Sequence, residues 1–547
     1  MHTIRLALVQ TNPTVGAIEA NLADIFSRVQ TAVEQGANLV LCAEMSVTGY
    51  PIEDLAQRPG FLKAVEDAVD QFAGKLDKAG LGEIYVVVGH PASASEPNGW
   101  AIAQNCASVI HRGSVSGRYA KHHLPNYSVF DEYRVFVPGN EPLVFELDGK
   151  RCGVLICEDI WQSGGPVAAL AEQDLDLALV LNGSPFELGK RQTRRDLVSN
   201  LAITLAAPVA YVNLVGGQDD LVFDGSSLLT DATGKVVFEA VAFEPSVDVF
   251  EVSNGVVITE RQHQAPPTAD QDLAQVWDAL TVGLRDYVNK NGFASVILGL
   301  SGGIDSAVCA SLAVDAIGPE RVFGVSLPSK YSSDHSKSDA FDLAERLGIQ
   351  IRTEVIEPMV EVTEIQLGLS GVAAENLQAR VRGLILMSLS NSEGHLTLTT
   401  GNKTELAVGY STIYGDSVGG FAPIKDVAKT MVWELARYRN ALTPSNPPIP
   451  ENSISKPPSA ELRPGQLDQD SLPEYDVLDA ILELYLDKRL GQTEILKAGF
   501  DPVEVSRVLG LVDRAEWKRR QGAIGPKITG MAFGRDRRMP ITNAYHS

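Results

Sequence analysis

Apolar residues recur along this chain in two rhythms, and the alternation between them predicts its elements. Residues 4–10 alternate apolar and polar and run into Asn12-Pro13, a strand followed by a turn. Residues 21–35 carry the 3.6-residue spacing of a helix. Further strands are predicted over 38–43, 84–89, 107–110 and 152–156, and another closes at 181–190. Tyr119-Ala120-Lys121 opens a loop through His122, Pro125, Tyr127 and Glu132. Residues 197–218 are 22 positions without a charge, the length of a membrane span. Ser199, Asn200, Thr204 and Asn213 interrupt them, and Pro208 divides them into an apolar helix and a strand over 209–215.

A polar stretch over 259–270 contains Pro266 and Pro267 and reads as a linker. It places one domain at 1–260 and another at 272–547, joined through 261–271. Past it, 272–290 reads as an amphipathic helix, 295–300 as a buried strand and 307–316 as an apolar helix. Strands follow over 322–327, 349–355 and 396–400. Ser332-Ser333-Asp334 is placed to cap a helix carrying Ala340, Leu343, Ala344 and Leu347. Residues 443–473 are crowded with Pro, Ser and polar residues, a composition that suits a mobile loop able to close over a ligand. Strands alternating with helices imply layered α/β architecture, with chemistry collected beyond the C-terminal strand ends.

Bulk composition narrows the function. A chain of 547 residues exceeds a single core and should divide into domains. The net charge of −23 argues against broad nucleic-acid binding. Cysteines at 42, 106, 152, 157 and 309 form no paired metal-ligand pattern and read as reduced thiols of a cytoplasmic protein. The N-terminus has no basic region followed by a long apolar core, so no signal peptide is expected.

Between the strand at 295–300 and the helix at 307–316 lies Ser301-Gly302-Gly303-Ile304-Asp305-Ser306. Paired glycines let a backbone turn sharply and approach a ligand. A loop that opens a helix offers free N–H groups to an anion. The serines add hydroxyl donors, and Asp305 is suited to hold Mg²⁺ beside a phosphate. No Lys follows the second glycine, so this is not the common phosphate loop, nor is it a dinucleotide fingerprint. The segment Gly299-Leu300 through Ser306 resembles the pyrophosphate-binding loop of the ATP pyrophosphatases, which adenylate an oxygen and release pyrophosphate.

Three residues at strand ends in the first half form a nucleophile, a base and a cation: Cys157, Glu44 and Lys121. A cysteine with a thiol pKa of about 8.5 is a weak nucleophile until a neighbouring cation lowers it. A carboxylate can take the thiol proton, and a lysine can hold the oxyanion. Singly, each has an ordinary structural explanation. Their contexts, Leu41-Cys-Ala-Glu44, Tyr119-Ala-Lys121-His-His and Ile156-Cys157-Glu-Asp159, resemble in order the three motifs of the nitrilase superfamily over about residues 3–255. That resemblance implies an N-terminal α-β-β-α sandwich with Glu44, Lys121 and Cys157 as the amide-hydrolysing triad. It implies Glu132 as a second glutamate near the cysteine. In glutamine-hydrolysing members it implies Tyr127, Ser184 and Lys190 at the amino-acid end of glutamine.

Segments 376–382, 400–405, 410–416, 516–521 and 533–538 resemble the NAD synthetases over about 270–547. This implies a doubly wound parallel-sheet domain using ATP and Mg²⁺. By resemblance, Gly299, Leu300, Ser301, Gly302, Gly303, Ile304, Asp305, Ser306, Thr400, Lys429 and Ser459 contact ATP. Asn376, Arg380, Glu405 and Lys518 contact nicotinate adenine dinucleotide, the deamido form of NAD⁺, and Asp305 and Glu405 hold the metal. Arg380 and Asn376 lie one turn apart on a helix. Ile413 stands where some ammonia-only members have Lys, which leaves one dinucleotide contact absent or supplied elsewhere. The basic tail, 514–538, has eight Lys/Arg against two acids and suits an anionic dinucleotide. Small-molecule substrates and a homo-oligomer are implied, with no membrane and no nucleic acid. Two alternatives stand beside this reading: another glutamine-dependent amidotransferase with this loop, or a nucleotide-sensing protein with inactive sites. Asparagine formers of that type use an N-terminal Cys, where this chain has His2, and intact Glu44, Lys121, Cys157, Asp305 and Glu405 count against an inactive protein.

Overall fold

The chain divides into two compact units, residues 1–218 with 222–267, and residues 219–221 with 268–547. The structure, a computed structural model, describes residues 3–99, 101–253, 255–258 and 269–537. The linker expected over 261–271 falls mostly on 259–268, outside the described residues, as does Arg538 of the tail.

In the first unit a seven-stranded sheet runs in the order Val256–Ile258, Ser246–Ser253, Ile4–Gln10, Leu39–Cys42, Tyr85–Asn98, Ala101–His111 and Ser114–Ala120. A six-stranded sheet runs Val236–Glu239, Leu228–Thr230, Val209–Asn213, Leu177–Asn182, Lys150–Ile156 and Leu143–Leu147. Strand Ile4–Gln10 has the expected bounds, and both its faces are used. Ala7 and Val9 pack with Ile25 and Val29 of helix Ile18–Glu34 and with Val65, Val69 and Phe72 of helix Pro59–Lys78. Leu6 and Leu8, also fully buried, point the other way, toward the second sheet. That sheet packs its outer face on helix Lys190–Leu205 through Val198, Leu201 and Leu205. The result is the α-β-β-α sandwich, in which each buried Leu, Ile or Val contributes roughly 1.5–3 kcal/mol.

The uncharged stretch at 197–218 divides at Pro208 as predicted: helix Lys190–Leu205 ends before it and strand Val209–Asn213 follows. No helix among the described residues is long and apolar enough to cross a membrane. Hairpin strands Tyr85–Asn98 and Ala101–His111 run longer than the apolar cores predicted at 84–89 and 107–110. Their continuations are less apolar, and cross-strand pairing of His90–Ser93 with Ala103–Cys106 keeps them extended where the apolar signal has faded.

The second unit holds a parallel sheet in the order Gln350–Thr353, Val322–Ser326, Val296–Gly299 and Leu396–Thr397. The chain builds outward from Val296–Gly299 in one direction and then returns to its other side. The switch point therefore lies between Val296–Gly299 and Leu396–Thr397, and a crevice opens beyond their C-terminal ends. The loop 299–306 leaves one of these strands and the segment 400–405 follows the other. Ser333 caps helix Asp334–Leu347 as expected, its hydroxyl accepting from the Ser336 amide at 3.1 Å.

The proline-rich stretch 443–473 differs from its compositional reading. It contains the short helix Glu451–Ser455 and buries Ile449, Ile454 and Leu472. Ser453 Oγ donates to the Gly302 carbonyl (3.0 Å), and Asp468 accepts from Tyr410 and Tyr475 hydroxyls (3.1 and 2.8 Å). Prolines fix φ without entropy loss, so a proline-rich segment with a few apolar anchors packs at low cost.

Candidate functional sites

In the first unit Glu44 follows strand Leu39–Cys42, Lys121 follows Ser114–Ala120, and Cys157 ends Lys150–Ile156. All three are buried, as is Glu132. Lys121 Nζ lies 2.9 Å from Glu44 Oε1 and 2.9 Å from Glu132 Oε2. Glu44 also accepts from Asn105 Nδ2 and from the Gly183 amide, each at 2.7 Å. Tyr50 OH donates to Glu132 at 2.9 Å. Burial alone would lower the Lys121 pKa, but Glu132 and Glu44 outweigh it, and the pKa stands well above the ordinary lysine range. Burial, with Glu44 close by, raises the Glu132 carboxyl above the usual carboxylate range.

Cys157 sits in the left-handed region (φ 44°) at the first position of a short 3₁₀ turn, Cys157–Ile160. A non-glycine residue there is strained, and the turn lifts the thiol off the end of its strand. The sequence suggested a thiol pKa lowered by a cation. Instead burial, reinforced by Glu44, pushes the Cys157 thiol well above its ordinary value, and Lys121 only partly offsets this. A thiol placed here favours its protonated form and would need a base to act as a nucleophile, and Glu44 is the carboxylate with the largest influence on it.

The residues expected to grip glutamine surround this turn. Tyr127, half exposed, donates its hydroxyl to Glu158 Oε2 at 2.9 Å. Lys190 Nζ lies 6.0 Å from the Trp161 ring centre. Ser184 is buried, its amide donating to Asn213 Oδ1 and its hydroxyl accepting from Arg194 Nε at 3.2 Å. Arg194, also buried, is held by both Asp224 oxygens.

In the second unit a cavity of about 330 Å³ lies over the switch point. Of the expected nucleotide contacts, Gly299, Leu300, Ser301, Gly303, Ile304, Asp305, Ser306, Thr400, Lys429, Ser459 and Glu405 line it. Gly302 does not. Its φ is +76°, and a Cβ there would stand 2.4 Å from the Ser336 carbonyl oxygen. This glycine is required by helix Asp334–Leu347 packing against the loop, whereas Gly303 borders the cavity.

Asp305 Oδ2 lies 2.5 Å from Lys429 Nζ, and Glu405 Oε1 lies 3.2 Å from the same nitrogen. Burial raises the Glu405 carboxyl above the usual range, and Asp305 adds to the effect. Two hard carboxylates thus converge on one point, balanced by an ammonium. No cluster of three or more His, Cys, Asp or Glu that could hold a metal occurs among the described residues. A pair of this kind fits Mg²⁺ that draws its remaining ligands from phosphate oxygens and water. Asn402 Nδ2 donates to Asp305 Oδ1 (2.8 Å), while its Oδ1 accepts from the Glu405 amide (3.0 Å).

Asn376, Arg380 and Lys518 are not in the cavity wall; they converge on the segment 409–413, whose Tyr410, Ser411 and Thr412 line it. Asn376 Oδ1 accepts from Thr412 Oγ1 (2.8 Å), and Arg380 Nε donates to the Ile413 carbonyl (3.2 Å). Lys518 Nζ donates to the carbonyls of Gly409 (2.8 Å) and Ser411 (3.0 Å). Much of the basic tail is likewise turned inward: Arg519, buried, donates to the Ala407 and Val512 carbonyls and to Glu516, which also pairs with Arg520 and Arg537. Charge composition cannot distinguish cations that close helix ends from cations that face a ligand.

With this geometry in place, comparison with known proteins is decisive. Residues 5–261 match the carbon-nitrogen hydrolase family and residues 276–522 the NAD synthase family. The glutamine-dependent NAD(+) synthetase of Acinetobacter baylyi is 46% identical, covering 100% of this chain and 99% of that one. This chain belongs to the glutamine-dependent NAD(+) synthetases. The Aquifex aeolicus protein of that name is 42% identical over 99% of this chain and 100% of its own. A solved structure of the Acinetobacter baumannii synthetase in complex with ADP is 43% identical, covers 99% of both chains and has a TM-score of 0.78. The Cytophaga hutchinsonii synthetase, at 22% identity and a TM-score of 0.83 over 99% of this chain and 98% of its own, shares the fold.

Several residues of these two synthetase sites escape sequence reasoning. Asn105 lies inside a strand, with no local sign that its amide reaches Glu44. Asn402 is visible as the N-cap of helix Lys403–Val408, but not as a partner of Asp305. Asp159 stands two residues from Cys157 in the Ile156-Cys157-Glu-Asp159 motif; what it holds becomes visible only in three dimensions.

Proposed function

We propose that this synthetase makes NAD⁺ by ATP-dependent amidation of nicotinate adenine dinucleotide, with ammonia released from glutamine in the first unit. The observation that carries this reading is one chain holding both a buried Glu44–Lys121–Cys157 cluster and a Ser301–Ser306 loop beside paired carboxylates. Glutamine docks with its side-chain amide over Cys157 and its amino-acid end toward Tyr127, Ser184 and Lys190. As the thiol attacks the carbonyl carbon, Glu44 takes its proton, because a buried thiol cannot ionise alone. The Lys121 ammonium stabilises the oxyanion. The proton on Glu44 passes to the departing nitrogen, ammonia leaves, and a thioester remains. Glu44 then deprotonates a water that attacks the thioester, giving glutamate and the free thiol.

In the second unit the nicotinate carboxylate attacks the α-phosphorus of ATP. An acyl-adenylate forms and pyrophosphate departs, held by the amides and hydroxyls of Ser301, Gly303 and Ser306. Asp305 and Glu405 would hold Mg²⁺, which when bound neutralises charge on the phosphate oxygens. Lys429, Thr400 and Ser459 face the nucleotide from the cavity wall, and the ADP-bound relative supports an adenine nucleotide there. Asn376, Arg380 and Lys518 act on the dinucleotide by fixing the segment 409–413. Ammonia displaces AMP from the adenylate and leaves the amide. The exposed apolar Val362 and Ile365 on helix Glu357–Leu367 support a homo-oligomer, and the five free cysteines support a cytoplasmic setting. The test is pyrophosphate release with nicotinate adenine dinucleotide, XMP and aspartate offered as acceptors. Release driven by XMP or aspartate instead of the dinucleotide would overturn the assignment.

A further inference from the structure

The catalytic groups of the first unit come from two different sheets. Glu44 and Lys121 follow strands of the seven-stranded sheet, and Cys157 ends a strand of the six-stranded one. The interface between sheets is largely apolar, and apolar packing is non-directional. Something directional must set how far the thiol stands from the ammonium.

We propose that Asp159 is the positioning residue of the glutaminase site, the carboxylate that fixes the Cys157 turn against the segment carrying Lys121. The inference rests on the glutaminase reading given above. Asp159 is fully buried. Its Oδ2 accepts from the Ile156 amide (3.0 Å), which holds the Cys157 turn closed from within. The same oxygen accepts from Tyr119 OH at 2.7 Å. Its Oδ1 accepts from the amides of His122 (3.1 Å) and His123 (2.9 Å). Three of the four donors therefore come from residues flanking Lys121, and the fourth from the residue before the nucleophile. One carboxylate meets both sides of the site without needing to touch the substrate.

The donor set explains why this position needs a carboxylate. Three partners are backbone amides, which can only donate. Asn in its place must present an NH₂ to one side, where it would oppose either Ile156 or the His122–His123 pair. Only the Tyr119 hydroxyl could reverse its role. A loosened link lets the Lys121 segment move relative to the thiol, and a displacement of about 1 Å can cost on the order of 100-fold in rate.

The test compares Asp159→Asn and Tyr119→Phe with the parent in the full chain. Glutamine-driven kcat and KM are measured and normalised to the ammonium-driven rate of the same preparation. The rate of Cys157 alkylation by iodoacetamide is followed against pH. The charged groups acting on that thiol include Glu44, Lys121, Glu132 and Glu158, and the buried Arg194 guanidinium; of these the two cations, Lys121 and Arg194, favour the thiolate. Asp159→Asn should lower normalised kcat on the order of 100-fold, leave KM for glutamine within about threefold, and move the alkylation profile to higher pH. Tyr119→Phe, which removes one hydroxyl, should act in the same direction by roughly five- to tenfold. An unchanged kcat, or a loss carried by KM with the alkylation profile unmoved, would refute the positioning role. Should Asp159→Asn not fold, Tyr119→Phe decides alone: parental kcat and an unmoved profile overturn the proposal. Failure of the underlying reading looks different, because Cys157→Ala would then keep glutamine-driven turnover.

Discussion

Lys121→Met puts the electrostatics of the first site to a quantitative test. The side chain is 1% exposed and its ammonium stands 2.9 Å from an oxygen of each of two buried carboxylates. At an effective dielectric near 20, each such pair attracts by about 6 kcal/mol. Burying the ammonium costs several kcal/mol in return. Methionine keeps most of the volume but leaves Glu44 and Glu132 facing one another without a cation. Breaking a buried pair in this way costs roughly 3–5 kcal/mol. The loss should depend on pH. Burial already raises the Glu132 carboxyl, and removal of Lys121, which opposes that shift, moves it further up. A carboxyl whose folded pKa exceeds its unfolded value of about 4.3 contributes stability below that value. This contribution disappears as pH rises through the folded pKa. The variant's first unit should therefore be closest to the parent near pH 5 and furthest below it near pH 8. Each tenfold change in proton affinity is worth about 1.4 kcal/mol. Pulse proteolysis of the full chain across a urea series, at both pH values, reads the first unit from its own fragments and the second as an internal reference. A first-unit midpoint equal to the parent's at pH 8, or lowered equally at both pH values, would falsify the reasoning.

Three further outcomes follow from the same geometry. Cys157→Ala should abolish glutamine-driven NAD⁺ formation, while concentrated ammonium restores synthesis best at alkaline pH, where free NH₃ is abundant; Cys152→Ala, inside the strand, is the control that keeps glutamine turnover. Persistent glutamine-driven turnover by Cys157→Ala in ammonium-free buffer would remove Cys157 as the nucleophile. Asp305→Ala should lower pyrophosphate release by 100-fold or more with either nitrogen source, because a hard ligand is lost and Lys429 and Asn402 each lose one of their two partners; near-normal release would dismiss the loop assignment. Lys518→Ala frees the carbonyls of Gly409 and Ser411 and should raise KM for the dinucleotide several-fold more than KM for ATP, and an effect confined to ATP would contradict that role.

Local chemistry made much of the molecule legible before any coordinates. The strand–loop–helix at 296–317 was readable because an apolar β-branched run, two glycines and an Ala-rich stretch each have one economical conformation. The break at Pro208 was readable because proline cannot donate to a helix. Glu44, Lys121 and Cys157, each at a predicted strand end, offered a base, a cation and a nucleophile, and the resemblance of their motifs to the nitrilase superfamily implied amide hydrolysis. The polar extension of the hairpin at 85–111 and the packing of 443–473 were not legible, since both depend on partners distant in sequence.

By itself, then, the sequence determined many of the elements, the α/β class and the residues able to do chemistry, because propensity, turn residues and functional groups are local properties; helix Pro59–Lys78 and strands such as Ser114–Ala120 and Ser246–Ser253 emerged only with the fold. Tertiary structure decided what those groups experience. It set the Cys157 thiol high where a neighbouring cation alone would have set it low, because burial outweighs one ammonium. It turned Gly302 toward Ser336 and left Gly303 to the cavity. It brought Asp305 and Glu405, 100 residues apart, onto one ammonium, and drew Asn376, Arg380 and Lys518 to one segment. Desolvation, Coulomb energy and hydrogen bonding depend on distance and on what excludes water, and neither quantity exists until the chain has folded.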